Sequence, residues 1–173
     1  MTTRDFAGGL RPLDVVKRSL FWLLVPVLAF NLAFYGALPD AFQAETFWRD
    51  IPPAIALPEN VLRILVLVIL PLFLLRDPSP SARRRLGVWL YVGGQAIYYG
   101  SWTLLIAKPD RVASLPIFLG PALTPALWIA GLVLLAEDRP LLPHLRPRLL
   151  FGGGALFLVA HVAHASLVWS RLP

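Results

Sequence analysis

The sequence predicts an all-α integral membrane protein, a bundle of five transmembrane helices in a single membrane domain that covers residues 1–173. Hydrophobic residues make up 57% of the chain and charged residues only 15%, and the mean hydropathy is +0.67. These values lie far from those of an average soluble domain. Apolar segments long enough to cross a bilayer recur along the whole chain, with polar segments between them.

The composition also excludes several classes of function. The chain contains no cysteine, which excludes disulfides, thiolate metal sites and cysteine nucleophiles. Its formal net charge is +6, but the basic residues border apolar segments and do not line one polar face. We therefore expect the lipid bilayer as a partner and no nucleic acid. Phosphate-binding glycine loops, His-Glu-x-x-His helices and Gly-x-Ser-x-Gly elbows do not occur in the sequence, so familiar hydrolase and nucleotide chemistry has no support.

Five apolar segments give the predicted spans. Residues 1–18 are polar and basic, and the first span after them is expected to be uncleaved. Pro58 suits the first position of a helix, where its missing N–H needs no partner, so we expect the second span to begin there. Pro116, Pro121 and Pro125 should bend or break the first half of the fourth span. The predicted spans are residues 19–38, 58–75, 86–107, 114–136 and 148–170, and residues 39–57 are predicted to form an extracytoplasmic connection in the membrane interface.

The distribution of Lys and Arg predicts the orientation of the bundle. Eleven basic residues lie on the side of the amino terminus and four on the opposite side. This excess predicts a cytoplasmic amino terminus and, with five spans, an extracytoplasmic carboxyl terminus. A composition rich in Arg, Ala, Leu and Pro favours a bacterial chain, so we expect the cell inner membrane. The eleven are Arg4, Arg11, Lys17, Arg18, Arg76, Arg83, Arg84, Arg85, Arg139, Arg146 and Arg148, and the four are Arg49, Lys108, Arg111 and Arg171.

Polar residues of different spans are predicted to gather in the outer half of the membrane. With the direction of each helix fixed, sequence position gives depth at about 1.5 Å per residue. The inner halves of the spans are mostly Leu, Val and Ile. Eight of the outer-half residues are our candidate ligand-binding residues: Asn31, Glu59, Arg63, Gln95, Tyr98, Trp102, His161 and His164.

The third predicted span carries one face of polar and aromatic residues. Tyr91, Gln95, Tyr98 and Trp102 are spaced by four, three and four residues, so they share one helical face. This pattern fits either a cavity lining or ordinary aromatic packing near a membrane surface. The span is also expected to lie centrally, because small residues let helices approach closely. Its glycines are Gly87, Gly93, Gly94 and Gly100.

Glu59 and Arg63 place two opposite charges in an apolar helix. They are four residues apart, so they lie on one helical face and are close enough to pair. An unpaired arginine in hydrocarbon costs roughly 3 kcal/mol, so Arg63 should face protein or water. The pair is either a structural clip between helices or a site in which Arg63 anchors an anion such as a carboxylate or phosphate.

His161 and His164 are three residues apart on one face of the fifth predicted span. This spacing fits an acid–base pair, a two-ligand metal arrangement or residues that form hydrogen bonds between helices. No clear third ligand accompanies them except Glu59, so we assign neither a metal nor another cofactor.

Three functions fit these residues. The first is the binding, transport or sensing of a small amphipathic or anionic ligand in an outer-half cavity, floored by Gln95 and ringed by Arg63, Tyr98, Trp102 and the two histidines. The second is an enzyme with a histidine base that acts on a lipid-soluble substrate. The third is an accessory subunit that packs on another membrane protein, and self-association into a homo-oligomer also stays open.

Overall fold

The computed structural model describes residues 12–138 and 146–172, and these residues form an all-α structure. They contain eight α-helices, together with short 3-10 helices such as Leu20–Leu23, Tyr35–Ala37 and Leu70–Leu72 that extend the first two spans. The α-helices are α1 (Pro12–Arg18), α2 (Val25–Phe34), α3 (Ala44–Phe47), α4 (Pro53–Ile69), α5 (Ala82–Ala107), α6 (Leu115–Leu123), α7 (Pro125–Leu135) and α8 (Pro147–Trp169).

Four helical stretches in the described residues are long and apolar enough to cross a membrane, and they correspond to the first, second, fourth and fifth predicted spans. The third predicted span forms α5, which has 26 residues. That helix is about 39 Å long, more than a hydrocarbon core of about 30 Å. Its lower hydropathy reflects its glycines, tyrosines and glutamine. The four stretches are Leu20–Ala37, Pro53–Leu72, Leu115–Leu135 and Pro147–Trp169.

The second span begins earlier than predicted, because α4 starts at Pro53 and not at Pro58. The prediction was wrong because Pro53 already takes the N-terminal position that suits a proline, with Pro52 as the residue before it. Pro58 lies inside the helix, where it has no N–H to donate. The longer helix also moves Glu59 away from the positive N-terminal end. Side chains, and not the helix dipole, must therefore stabilise its carboxylate.

The fourth span is interrupted within its proline-rich half, as its prolines predict. Helix α6 ends at Leu123 and α7 begins at Pro125, with Thr124 between them. Both segments pack on α5 and on α8, and the contact of α7 with α5 is the most extensive. The break therefore bends one span while it keeps the same two neighbours along its length.

One end of the bundle is tied together by backbone hydrogen bonds between the start of the first span and the ends of the second and fourth. Ion pairs reinforce this end: Arg18 contacts Glu137 at 2.8 Å and Arg76 contacts Asp138 at 2.7 Å. The hydrogen bond from Arg76 holds the pKa of Asp138 below its usual range. The backbone bonds are Leu20 N to Phe73 O (2.9 Å), Leu75 N to Arg18 O (2.6 Å), Arg76 N to Leu135 O (2.8 Å) and Glu137 N to Leu74 O (2.8 Å).

Helices α5 and α7 pack with their backbones in close approach, and two of the predicted glycines make this contact. A Cβ atom at Gly94 would lie 2.7 Å from the backbone nitrogen of Trp128 and 2.8 Å from Leu127 Cβ. Gly87 faces Leu135 in the same interface, where a Cβ would lie 3.0 Å from Leu135 Cγ. By contrast, a Cβ at Gly93 would meet no atom within 4 Å. Only part of the glycine pattern therefore serves helix packing.

We expect Gly94→Ala and Gly93→Ala to have opposite effects on stability, although they are neighbouring residues of one helix. The methyl group at position 94 must push α7 away, at a cost of about 1–3 kcal/mol, typical of overpacking. At position 93 the methyl group meets open space, and alanine favours a helix over glycine by up to about 1 kcal/mol. Thermal denaturation in detergent measures both. Equal losses of stability would contradict the close α5–α7 contact at Gly94.

Candidate functional site

The centre of the candidate site is the carboxylate of Glu59, which is completely buried. Arg63, one turn later on α4, donates from Nη2 to Glu59 Oε1, so the predicted pair is present. Helix α8 packs on α4 and brings both predicted histidines to the same carboxylate. His161 Nδ1 lies 2.9 Å from Oε1 and His164 Nδ1 lies 2.5 Å from Oε2. One acidic residue is thus surrounded by three nitrogen-bearing side chains from two helices.

The contacts of the cluster reach the connection between the first two spans. His164 Nε2 is 2.8 Å from the carbonyl oxygen of Phe47, while its Nδ1 faces Glu59 Oε2. Glu59 Oε1 is shared by Arg63 and His161. The two carboxylate oxygens of Glu59 are therefore divided among Arg63 and both imidazoles.

Aromatic rings enclose the charged groups. The guanidinium carbon of Arg63 lies 5.6 Å from the centre of the Trp48 ring and 5.9 Å from that of Phe157. Such cation–π contacts stabilise a guanidinium by about 0.5–2 kcal/mol without neutralising it. The rings of Phe47 and Trp48 also pack against His164, with centroid distances of 4.3 and 4.5 Å. Arg63 is therefore held by the Glu59 carboxylate and by two aromatic faces.

Sequence analysis missed these three aromatic residues as parts of the site. Phe157 could have been found, because it lies four residues before His161 and therefore on the same helical face, where the two rings stack at 5.3 Å. Phe47 and Trp48 carry no such signal. Their place beside His164 depends on how the connection between the first two spans folds back, and helical spacing does not determine that.

A cavity of about 360 Å³ adjoins the cluster, within the size range of small-molecule sites. Its lining is mostly apolar and comes from α2, the connection after it, α4, α5, α6, α7 and α8. Five of the eight candidate residues line it: Asn31, Arg63, Tyr98, Trp102 and His161. Arg63 and His161, the two basic side chains among them, meet at Glu59 behind the cavity wall.

Three candidate residues do not line the cavity. Glu59 and His164 lie behind it, with both side chains fully buried. Gln95 does not form the expected floor, because its side chain accepts a hydrogen bond from the Tyr99 hydroxyl one turn away. Apolar residues that include Leu67 and Ile129 line that part of the cavity instead.

Few polar groups are part of the lining. The Tyr98 hydroxyl donates to Asn31 Oδ1 at 2.6 Å, which leaves the Asn31 amide hydrogens for other partners. The indole N–H groups of Trp102 and Trp128 are enclosed by protein atoms and have no acceptor of hydrogen-bonding geometry among the described residues, so their rings and not their N–H groups border the cavity. Arg63 and the Asn31 amide therefore offer positive charge and N–H donors inside an apolar wall.

Within residues 12–138 and 146–172, no three or more His, Asp or Glu side chains are arranged to hold a metal ion.

Comparison with protein-family models, with curated proteins and with solved structures finds no match for this chain. The chemistry of the cluster must therefore be inferred from its own residues: a cation in contact with aromatic faces, a carboxylate shared with two imidazoles, and an adjoining, mostly apolar cavity.

We expect the stability effects of Glu59→Gln and Arg63→Leu to be coupled. Glutamine at position 59 removes the negative charge and one of the two acceptor oxygens that Arg63 and both histidines share, at a cost of about 3 kcal/mol, whereas Arg63 is over a third exposed and its loss should cost less. The double variant should lose less stability than the sum of the single variants. Thermal denaturation in detergent gives all three values.

Glu45→Gln is the matched control for this cycle, because Glu45 is exposed and no described ion pair involves it. This change should alter the free energy of unfolding by less than about 0.5 kcal/mol. Strictly additive effects of the Glu59 and Arg63 changes would show that the two side chains do not interact in the membrane protein.

Proposed function

We propose that this protein binds a small amphipathic anion in the cavity beside Arg63, in order to carry or sense it. The observation that supports this most is the position of Arg63, whose guanidinium lines the cavity while its carboxylate partner does not. The Glu59 carboxylate is shared between Arg63 and two imidazoles, so part of the charge of Arg63 is left for a ligand. An apolar environment strengthens that attraction, because the effective dielectric constant is lower than in water.

The other polar groups of the lining support an anion over a cation. The amide hydrogens of Asn31 can donate to an anionic oxygen, and no carboxylate is part of the lining of this cavity as described. A cation placed there would meet the positive charge of Arg63. The apolar walls suit the hydrophobic part of the same molecule.

An enzymatic function is the second candidate, favoured by the contact between Glu59 and His161. A carboxylate 2.9 Å from Nδ1 orients the imidazole, and Nε2 has no described partner. Such a histidine can act as a general base on a substrate in the cavity. No serine or threonine side chain is part of the described lining, so the nucleophile would have to be water or the substrate itself.

We also propose that the chain crosses the membrane five times, with α5 as the third span and the amino terminus in the cytoplasm. The length of α5 and its packing along α7 support this count, and the excess of basic residues supports the orientation. In this arrangement the end joined by the Arg18–Glu137 ion pair is cytoplasmic, and the cavity lies in the outer half.

A reporter enzyme fused after Pro173 should behave as extracytoplasmic, and one inserted between Asp77 and Ala82 as cytoplasmic. The reason is the distribution of eleven against four basic residues on the two sides. Activity of paired reporters, one active only in the cytoplasm and one only outside, measures each position. Four spans would place both fusions on the same side, and the opposite orientation would exchange the two results.

Decane sulfonate should bind the purified protein in neutral-lipid nanodiscs more tightly than decyltrimethylammonium, which has the same chain length and the opposite charge. Arg63→Gln should weaken sulfonate binding about 10- to 100-fold, the value of one charge-assisted hydrogen bond, while Arg63→Lys should keep most of it. Tryptophan fluorescence follows the binding, and thermal denaturation verifies folding.

Arg49→Gln is the control, because Arg49 is exposed in the connection and does not line the cavity. It should leave the affinity for decane sulfonate unchanged. Equal affinity for the two amphiphiles, or equal losses in the Arg49 and Arg63 variants, would show that no anion site exists at Arg63.

A further inference from the structure

Helix α2 is the least tightly packed wall of the cavity. Of its ten residues only Val27 is buried, whereas six of the eleven residues of α7 are buried. In the described structure the close backbone neighbours of α2 are the 3-10 segments that flank it, and it packs closely on no other span. Two side-chain hydrogen bonds tie this span to α5, from Tyr91 to the Leu23 carbonyl and from Tyr98 to Asn31.

Because α2 borders the cavity on one side, a single loosely packed helix separates the cavity from the bilayer. Leu28, Asn31 and Phe34 belong to the cavity lining, while Leu32, between them in sequence, is 82% exposed and faces the exterior. Side chains, and not close contact between helix backbones, fill the gaps beside α2. Such gaps open at a lower cost in free energy than a tightly packed helix interface does.

The water-facing end of the cavity is covered more firmly. The connection after α2 contributes Phe42, Phe47 and Trp48 to the lining at this end. Phe42 stacks on the buried ring of Phe118 at 4.4 Å and meets Trp102 at 4.9 Å, and Phe47 packs on His164. An anion arriving from water would have to displace this aromatic cover.

Away from Arg63 the cavity lining is aliphatic and extends toward the middle of the membrane. On α2 and the segments beside it, lining residues run from Leu24 to Tyr35, a distance of about 16 Å along a helix axis. Leu24, Leu67 and Ile129 lie in this part of the wall. A molecule that fills the whole cavity therefore needs an anionic group at one end and an alkyl chain over most of its length.

We infer that the ligand is a long-chain alkyl anion dissolved in the membrane, such as a fatty-acid carboxylate or an alkyl phosphate, and that it enters from the outer leaflet past α2. This inference rests on the proposed anion site at Arg63 and adds the ligand's chain and its route. The head group meets Arg63 and the Asn31 amide, and the chain lies along the aliphatic wall. Water-soluble anions of the same head-group chemistry are not the ligand.

A series of alkyl sulfonates with four to fourteen carbons tests the chain requirement against wild-type protein in neutral-lipid nanodiscs. Each added methylene should improve the affinity, expressed against the free concentration in water, about fourfold, the value of removing one CH₂ group from water, until the chain extends beyond Leu24. Nanodiscs without protein are the control, because partitioning into lipid alone rises with chain length and shows no limit at this length. Inorganic sulfate and butane sulfonate should not displace dodecane sulfonate at comparable concentration. Displacement by either short anion would overturn the inference and leave the anion site itself standing.

Leu28→Trp and Leu32→Trp form a matched pair that tests the route through the association rate of dodecane sulfonate, followed by stopped-flow fluorescence. Tryptophan at position 28 adds bulk on the cavity side of α2, so association should slow at least tenfold. The same substitution at position 32 faces lipid and should leave the rate unchanged. Leu28→Phe should slow association by a smaller factor if the tryptophan variant does not fold. Equal association rates of the variants at positions 28 and 32 would refute entry past α2.

The two sets of measurements separate the inference from the proposed function. If Arg63→Gln loses binding but the affinity does not depend on the chain length of the sulfonate, the proposed anion site stands and the long-chain ligand is refuted. No preference for sulfonate over trimethylammonium would remove the proposed function itself. An affinity that depends on both the charge of the head group and the length of the chain supports the proposed function and the inference together.

Discussion

The buried carboxylate of Glu59 is the constraint on which the rest of the structure depends. A charge without partners inside an apolar bundle costs several kcal/mol, so its position requires donors from more than its own helix. Arg63 comes from the next turn of α4, and the two histidines come from α8. His164 in turn reaches the carbonyl oxygen of Phe47, which fixes the connection between the first two spans. One acidic residue thus joins three parts of the chain.

The same arrangement bears on the proposed anion site at Arg63. In an ordinary buried ion pair, one carboxylate neutralises one guanidinium. Here the two carboxylate oxygens also serve two imidazoles, and the rings of Trp48 and Phe157 contact the guanidinium without cancelling its charge. The proposed site therefore uses a guanidinium whose carboxylate partner is shared.

Features set by spacing within one helix could be predicted from the sequence, and features set by contacts between helices could not. The Glu59–Arg63 pair and the shared face of His161 and His164 follow from a period of 3.6 residues. That the histidines bind Glu59 depends on how α4 and α8 pack, which no local pattern records. The predicted start of α4 was wrong because Pro53 and Pro58 both suit the first position of a helix, and Pro53 occupies it. Gln95 was misplaced because Tyr99, one turn away, offers it a partner inside its own helix.

The bundle is closely packed where α5 meets α7 and loosely packed around α2, and the distribution of glycines accounts for the difference. Gly87, Gly94 and Gly131 bring α5 and α7 into backbone contact, which holds Tyr98 and Trp102 at fixed positions beside the cavity. Helix α2 has no glycine and presents bulky side chains to the cavity, so its backbone stays away from its neighbours. Local opening is cheapest where few apolar groups are buried. Ligand access past α2 therefore requires no disruption of the Glu59 network or of the α5–α7 contact.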